Sequence, residues 1–409
     1  MDEDRIGKMT TKNGISDALQ ICVLFDPSSP RPQVAKLETS ERWKRMGSEV
    51  TLDVPYTVDF IDYNQWPSVR DKYRTPFWVA DASWVMDPLG FEMCLEIGRK
   101  EENDYGLLTF SNPNGLAPLA RIGAELAEKL NTIRPTKSGA LIAELKELAE
   151  KNGIKSRDLP QSRFFWKNVT NHAEARRAEW GLLKELQYRP GGLVAQYLNR
   201  PLSIPMSYMT MNTWVTPNQT TALAFMVGLV GVIMIFMGEY WYALIGAALL
   251  QANSIIDGVD GELARVRHQS SSFGAYLDSV CDEILNALTY AALGYYVWKT
   301  GGHEIYLGMG IFAGIMSFLY GCAHWHCKIR HGKGFYWWFD AYKPRKQVQR
   351  ETSFFFYLKK LFWKESILMI VLLAVAFGFV PVFMWALGAG ALLLVILFTI
   401  HIPIKRAPW

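Results

Sequence analysis

Asp257-Gly-Val-Asp260-Gly261-Glu-Leu-Ala264-Arg265, resumed nine residues later by Gly274-Ala-Tyr-Leu-Asp278-Ser-Val-Cys-Asp282, is the stretch on which the reading of this chain turns. Mostly apolar residues lead into it, from Leu244 to Ile256, and follow it, from Ile284 to Leu293. Ionisable groups inside such runs are costly, so they face the interior of a helix bundle and carry function. Asp257 and Asp260 are three apart, and Gly261, Ala264 and Arg265 continue the same helical face. Gly274, Asp278 and Asp282 recur at steps of four on the next helix. The short turn between makes the two helices antiparallel neighbours, so four carboxylates converge. Four like charges in a small volume repel, and divalent metal resolves the repulsion. All-oxygen ligation suits Mg²⁺, Mn²⁺ or Ca²⁺ rather than zinc. Metals held this way clamp phosphates, and Arg265 is placed to contact one. On the residues alone, a charged ion pathway through a membrane fits the same pattern.

Outward from this stretch, six apolar runs of spanning length are expected: Gln219 to Met237, Trp241 to Arg265, Phe273 to Trp298, Ile305 to Trp325, Lys364 to Val380 and Val382 to Ile402. Arg265, Arg267 and His268 follow the second run. Basic residues from Lys328 to Lys360 follow the fourth, and Lys405 and Arg406 the sixth. The intervening loops at Gly238-Glu239, Lys299 to Glu304 and Gly378 to Pro381 carry little charge. The positive-inside rule then puts both termini and the aspartates on the cytoplasmic side of the cell (inner) membrane. Trp337-Trp338 and Phe354 to Tyr357 read as interface aromatics. Tyr197 to Met209, just before the first run, reads either as an interfacial amphipathic helix or as a plain linker.

The mean hydropathy of +0.03 averages two unlike halves. The net charge of +4 over 409 residues is too small to argue for nucleic acid. The five cysteines (Cys22, Cys94, Cys281, Cys322, Cys327) form no disulfide framework, which fits a reducing compartment. His324, His326 and Cys327 match no common zinc spacing. The polar start, MDEDRIGKMTTKNG, has no apolar signal core. The expected organisation is a cytoplasmic α/β domain over residues 1–190, a linker with a juxtamembrane helix over 191–218, and an α-helical membrane domain of six spans over 219–409. In the first, Gln20 to Phe25, Tyr56 to Ile61, Phe77 to Asp81 and Gly106 to Phe110 read as strands. Leu141 to Lys151 reads as a helix stopping at Asn152-Gly153.

The eight aspartate, glycine, alanine and arginine positions fit D-x2-D-G-x2-A-R-x8-G-x3-D-x3-D without departure, and in them the chain resembles the CDP-alcohol phosphotransferase family. Thr216-Pro217-Asn218 resembles that family's T-P-N opening of the first span. The resemblance covers roughly the C-terminal half. It implies transfer of a substituted phosphoryl group from a CDP-alcohol to an acceptor alcohol with release of CMP, in phospholipid or inositol-phosphate-type synthesis. It implies two divalent ions on Asp257, Asp260, Asp278 and Asp282, of which Asp278 and Asp282 are catalytic and Asp282 is the general base. It implies a nucleotide site at Gly261, Ala264 and Arg265, with Asn218 and Thr221 beside it, and close helix packing at Gly274. Lys364 and Glu365 stand where related enzymes carry a basic–acidic pair near the acceptor. A homodimer is implied as well.

Residues 1–190, with the run from Ala173 to Pro201, resemble the first domain and linker of bifunctional enzymes. Those enzymes fuse an inositol-phosphate cytidylyltransferase to a di-inositol-phosphate phosphate synthase. An active domain of that kind opens with a glycine-rich loop. Here the first strand is followed by Asp26-Pro-Ser-Ser-Pro-Arg-Pro, and only Asp81 or Asp87 could stand for its metal-binding aspartate. A degenerate, structural or regulatory domain is expected. The alternatives are a bifunctional enzyme that also makes the CDP-alcohol from CTP, and a metal-ion transporter.

Overall fold

The computed structural model describes residues 19–25, 33–49, 56–62, 73, 76–101, 105–113, 115–130, 139–161, 164–187, 192–331 and 364–404. The Asp26 to Pro32 segment, the basic loop beyond His331, Trp337-Trp338 and Phe354 to Tyr357 lie outside the described residues, as do the side chains of His324, His326 and Cys327. Contacts divide the chain into two compact units, Met1–Leu186 with Val266–His268, and Gln187–Arg265 with Gln269–Trp409.

The first unit is built on a six-stranded mixed sheet in the order β2-β1-β3-β6-β5-β7. Its strands are β1 (Leu19–Phe25), β2 (Tyr56–Asp62), β3 (Phe77–Asp81), β5 (Leu107–Asn112), β6 (Gly115–Ile122) and β7 (Ser156–Pro160). β1 runs parallel to β2 and β3, whereas β6 runs antiparallel to both β3 and β5. Side chains alternate faces along a strand, and both faces are covered. Ile21, Val23, Trp78, Leu108 and Leu119 pack with Trp43 of α1 (Thr39–Glu49) and Phe91 of α2 (Pro88–Lys100). Cys22, Leu24, Val79 and Leu107 pack with Leu126 of α3 (Ala124–Lys129) and Leu145 of α4 (Leu141–Lys151). A small second sheet pairs β4 (Trp84–Met86) with β8 (Trp166–Asn168), and α5 (His172–Gln187) closes the unit.

The four expected strands and the Leu141 helix are all present; β4, β6, β7 and β8 are not among the expected strands, and β6 is the longest of them. Proline removes a ladder donor and argues against a central strand, yet Pro118 lies inside β6. The β5–β6 register shifts between Thr109 and Ser111, and the β3–β6 pairing ends at Leu119. Pro118 therefore sits in an irregular stretch where its missing N–H is tolerated.

The second unit is helical. A π-turn at Ala195–Asn199 leads into α6 (Arg200–Thr210). Among the described residues six apolar helices follow: α7 (Pro217–Phe236), α8 (Tyr240–Val266), α9 (Ser272–Lys299), α10 (Ile305–His331), α11 (Lys364–Ala376) and α12 (Val380–Ile404). Three of them, over Pro217–Phe236, Tyr240–Val266 and Ile305–Ala323, are long and apolar enough to cross a membrane by length and composition. α9 carries Asp278, Asp282, Glu283 and Lys299, and those charges lower its apolar content. Gly238 and Gly378 follow α7 and α11 with φ of +72° and +76°, a conformation that ends a helix cheaply only at glycine.

Small residues set the helix spacing. A Cβ on Gly231 would lie 2.7 Å from the Gly246 carbonyl, so α7 and α8 touch backbone to backbone. On α9 and α10, a Cβ on Gly294 would lie 2.5 Å from Tyr306 O, and one on Gly314 2.6 Å from Ala287 O. Such glycine contacts are how helices pack closely where lipid weakens the hydrophobic drive to associate.

Candidate active site

The site is assembled at one end of α7, α8, α9 and α11. The head of α7 is fixed by its own sequence. Thr216 caps the helix, with its Oγ1 accepting from Gln219 N at 3.3 Å and its N–H donating to Gln219 Oε1 at 2.9 Å. Pro217 follows at the first helical position, where its missing N–H costs nothing. This capping box gives the Thr-Pro-Asn opening a structural reason and holds Asn218 and Thr221 against the neighbouring helices.

Asp257, Asp278 and Asp282 come together: one carboxylate oxygen from each lies within 4.8 Å of the other two. Asp260 is not part of this trio. It is buried, and Thr221 Oγ1 donates to its Oδ2 in a short hydrogen bond. Thr221, expected beside the nucleotide, thus touches an aspartate directly. The Asn218 side chain of α7 reaches the start of α9, where a Cβ on Gly274 would be 3.0 Å from its Oδ1. What Gly274 makes room for here is a side chain of α7. A Cβ on Gly261 would lie 3.2 Å from Arg265 Nη1, so the guanidinium folds back over the glycine while Arg265 stays exposed. Ala264 is half-buried on the same face.

α11 completes the site. The Lys364 ammonium is 3.2 Å from Asp257 Oδ2 and closer still to Asp282 Oδ1. Glu365 turns a buried Oε2 that accepts no hydrogen bond, and Asp278 Oδ1 is a second such atom. These orphaned oxygens test the fit of a metal. Buried acceptors left without donors cost free energy, and an oxygen-seeking divalent ion removes that cost. The trio, its all-oxygen chemistry and the orphaned Asp278 Oδ1 fit such an ion.

A polar ladder on the adjoining face of α8 is absent from the signature. Glu262, 4% exposed, accepts from Ser203 Oγ at 2.6 Å and from Ser207 Oγ at 2.5 Å. Gln251 Nε2 donates to Asn199 Oδ1 at 2.8 Å, and Asn199 Nδ2 donates to Ser254 Oγ at 2.9 Å. The helix that carries Asp257, Asp260 and Arg265 is thereby fastened to α6 and the π-turn before it. Asn199, Ser203 and Ser207 recur every four residues, a polar stripe that the sequence does show.

In the first unit, both aspartates weighed as metal ligands have structural work. Asp87 caps α2, its side chain accepting from Gly90 N at 3.1 Å. Asp81 Oδ1 accepts from Ser83 N at 2.9 Å and Ser83 Oγ at 2.5 Å.

Residues 214–338 match the model of the CDP-alcohol phosphatidyltransferase family. That stretch contains all eight signature positions and the Thr-Pro-Asn opening. The "Bifunctional IPC transferase and DIPP synthase" of Aquifex aeolicus (strain VF5) is 30% identical over 173 residues, 42% of this chain and 39% of that protein. The protein of the same name from Thermococcus kodakarensis is 33% identical over 131 residues, 32% of this chain and 29% of that protein. A phosphatidylinositol phosphate synthase of Mycolicibacterium smegmatis is 28% identical over 93 residues, 22% of this chain and 40% of that protein. The matched part of the chain spans two fifths or less of the length of these relatives.

Proposed function

We propose that the helical unit is a divalent-metal-dependent CDP-alcohol phosphotransferase. It transfers a substituted phosphoryl group to an acceptor alcohol and releases CMP, in phospholipid or inositol-phosphate-type synthesis. The observation that carries this is the convergence of Asp257, Asp278 and Asp282 within 4.8 Å, next to an arginine folded over a glycine on the same helix. Divalent ions on these carboxylates and Asp260, Mg²⁺ in the first instance and two per site, supply charge neutralisation at the donor's diphosphate. Arg265 pairs with that diphosphate and Gly261 lets it approach α8. Asp282 takes the proton of the acceptor hydroxyl as the acceptor oxygen–phosphorus bond forms and the bond to CMP breaks. Asp278 holds its geometry, Asn218 and Ala264 line the nucleotide, and Lys364 and Glu365 meet the acceptor.

In this reading all six helices cross the membrane. Trp241 and Trp298 stand at the end of α8 and α9 remote from the aspartates, about 24 Å away along the helix. Such aromatics mark one interface, while Arg265 and Arg267 mark the other as cytoplasmic. α6 lies in that interface with Leu202, Met206 and Met209 outward, all three exposed. The protein works as a homodimer in the cell membrane. The first unit is a nucleotidyltransferase-like domain without catalysis of its own, consistent with the structural duties of Asp81 and Asp87.

The test is CMP release by the purified protein in nanodiscs with Mg²⁺. CDP-diacylglycerol, CDP-inositol, CDP-choline and CDP-ethanolamine would be offered against polar and lipid acceptors, with Asp278→Asn alongside. CMP from one donor, lost in the variant, is the expected result. CMP from none, in protein that still binds divalent metal, would favour ion transport; CTP consumption without a CDP-alcohol would favour the bifunctional alternative.

A further inference from the structure

We propose that Lys364 is an exchangeable internal cation: it occupies the carboxylate site when metal is absent and is expelled from it when metal loads. The inference rests on the reading of the aspartates as a metal site. Its ground is that the ammonium bridges Asp257 and Asp282, two of the three carboxylates whose oxygens lie within one ion's reach. A divalent ion held by the same carboxylates would repel the ammonium at that range, so the two compete for the site. The lysine satisfies the cluster only in part. It meets Asp257 and Asp282, while Asp278 Oδ1 stays buried without a donor. An ammonium has three donors on a flexible stem, so it can hold the carboxylates apart from bulk water and still leave at modest cost. A divalent ion satisfies more oxygens and removes the orphan.

Two consequences follow from the exchange. The site keeps a counter-charge without metal, because the ammonium stays on Asp257 and Asp282. And the lysine becomes available to an anionic substrate only after metal has bound, which orders the events: metal first, then the group Lys364 recognises.

The experiment measures Mn²⁺ binding by the full-length protein in nanodiscs, counting free Mn²⁺ by electron paramagnetic resonance. Lys364→Met is expected to bind Mn²⁺ about tenfold more tightly than the parent, a difference of about 1.4 kcal/mol. Lys364→Arg, which keeps the charge, is expected to show no such gain. The second measurement needs no variant. Acetylation of Lys364 in the parent, read by mass spectrometry, should rise when Mn²⁺ saturates the site. Equal or weaker Mn²⁺ binding by Lys364→Met, or acetylation that is unchanged or reduced by metal, overturns the proposal while leaving the metal site intact. If neither protein binds Mn²⁺, the metal reading itself fails, and this inference with it. Binding by Lys364→Met alone would support it, the lysine then being a complete block.

Discussion

Glu262→Ala separates the anchoring of α8 from its chemistry. Glu262 is buried and accepts two hydroxyl hydrogen bonds, from Ser203 at 2.6 Å and Ser207 at 2.5 Å. Hydrogen bonds to a charged group contribute about 1.5–3 kcal/mol each. Two offsets reduce the loss on truncation. Freed serine hydroxyls on a helix can turn back to the carbonyl four residues earlier, and removing the carboxylate ends its own desolvation cost. A net loss of about 2–4 kcal/mol remains. Glu262→Gln keeps one acceptor and gains a donor for the second serine oxygen, so it should lose about 1 kcal/mol or less. Unfolding in mixed micelles gives the stabilities. A cycle with Ser203→Ala/Ser207→Ala should return a coupling of about 1.5–3 kcal/mol. The KM for the CDP-alcohol should rise with Glu262→Ala, since Glu262 adjoins Gly261 in the chain. Coupling within about 0.5 kcal/mol of zero would refute the ladder. Equal losses for the Gln and Ala variants would instead make the charge, not the hydrogen bonds, the stabilising element.

Gly310→Leu should cost about 3 kcal/mol and strip activity, because even a Cβ there would lie 2.5 Å from Tyr290 O across the α9–α10 contact. Gly308→Ala, with nothing within 4 Å of the added carbon, should stay within about 0.5 kcal/mol of the parent in the same unfolding assay. In the first unit, burial pushes the Cys94 thiol up to about 12 from 9.0 and raises Cys22 as well. Near neutral pH, iodoacetamide should therefore alkylate Cys94 about a thousandfold more slowly than an unshifted thiol, and denaturant should abolish the protection of both cysteines, read by peptide mass spectrometry. Glu174 accepts from Thr170 Oγ1 and Thr170 N, and the hydroxyl bond above all holds its carboxyl below the ordinary glutamate range. A depressed folded-state pKa gives stability that is present above the unfolded value and lost as pH falls through the folded one. Thermal unfolding should show that loss on acidification, smaller in Glu174→Gln.

Legibility in the sequence followed the strength of the periodic signal. Steps of three and four carried Asp257, Asp260, Asp278 and Asp282 onto facing helices, because a helix fixes which side chains share a side. The same rule did not say that Asp260 would turn to Thr221 while the other three met, since that depends on how far α7 approaches α8. That approach is set by Gly231 against Gly246, a backbone contact with no side-chain pattern of its own. Asp87 was open to a metal role because it follows β3, although Asp87-Pro88 is itself a helix-start signal that the structure bears out. Glu262 was hidden inside the signature as an unconstrained position. Its partners sit 55 and 59 residues away, and only the serine stripe on α6 pointed to it.

The depth of the carboxylates gives the site two tiers. Asp257 lies nine residues from the end of α8 and Asp282 ten from the start of α9, each about 14 Å in. Asp260 and Asp278 lie six residues in, about 9 Å. The deeper pair holds Lys364, Thr221 meets Asp260 on the shallower level, and Arg265 lies one residue from the end of α8. On the proposed function, a polar nucleotide diphosphate arriving from water would meet the shallow tier first, where Arg265 is exposed. On the same proposal the acceptor hydroxyl would have to reach Asp282 in the deep tier, where charge interactions are stronger. Perturbing the tiers should then move different kinetic constants. Thr221→Val removes one hydrogen bond from Asp260, about 1 kcal/mol, and should raise the donor KM about fivefold with kcat little changed. Asp282→Asn should abolish kcat, its larger effect falling on the chemical step rather than on donor binding, which is measured by CDP-alcohol titration. A Thr221→Val enzyme that lost kcat and kept its KM would mean that Asp260 serves the reacting atoms rather than the nucleotide, and the division into tiers would fail.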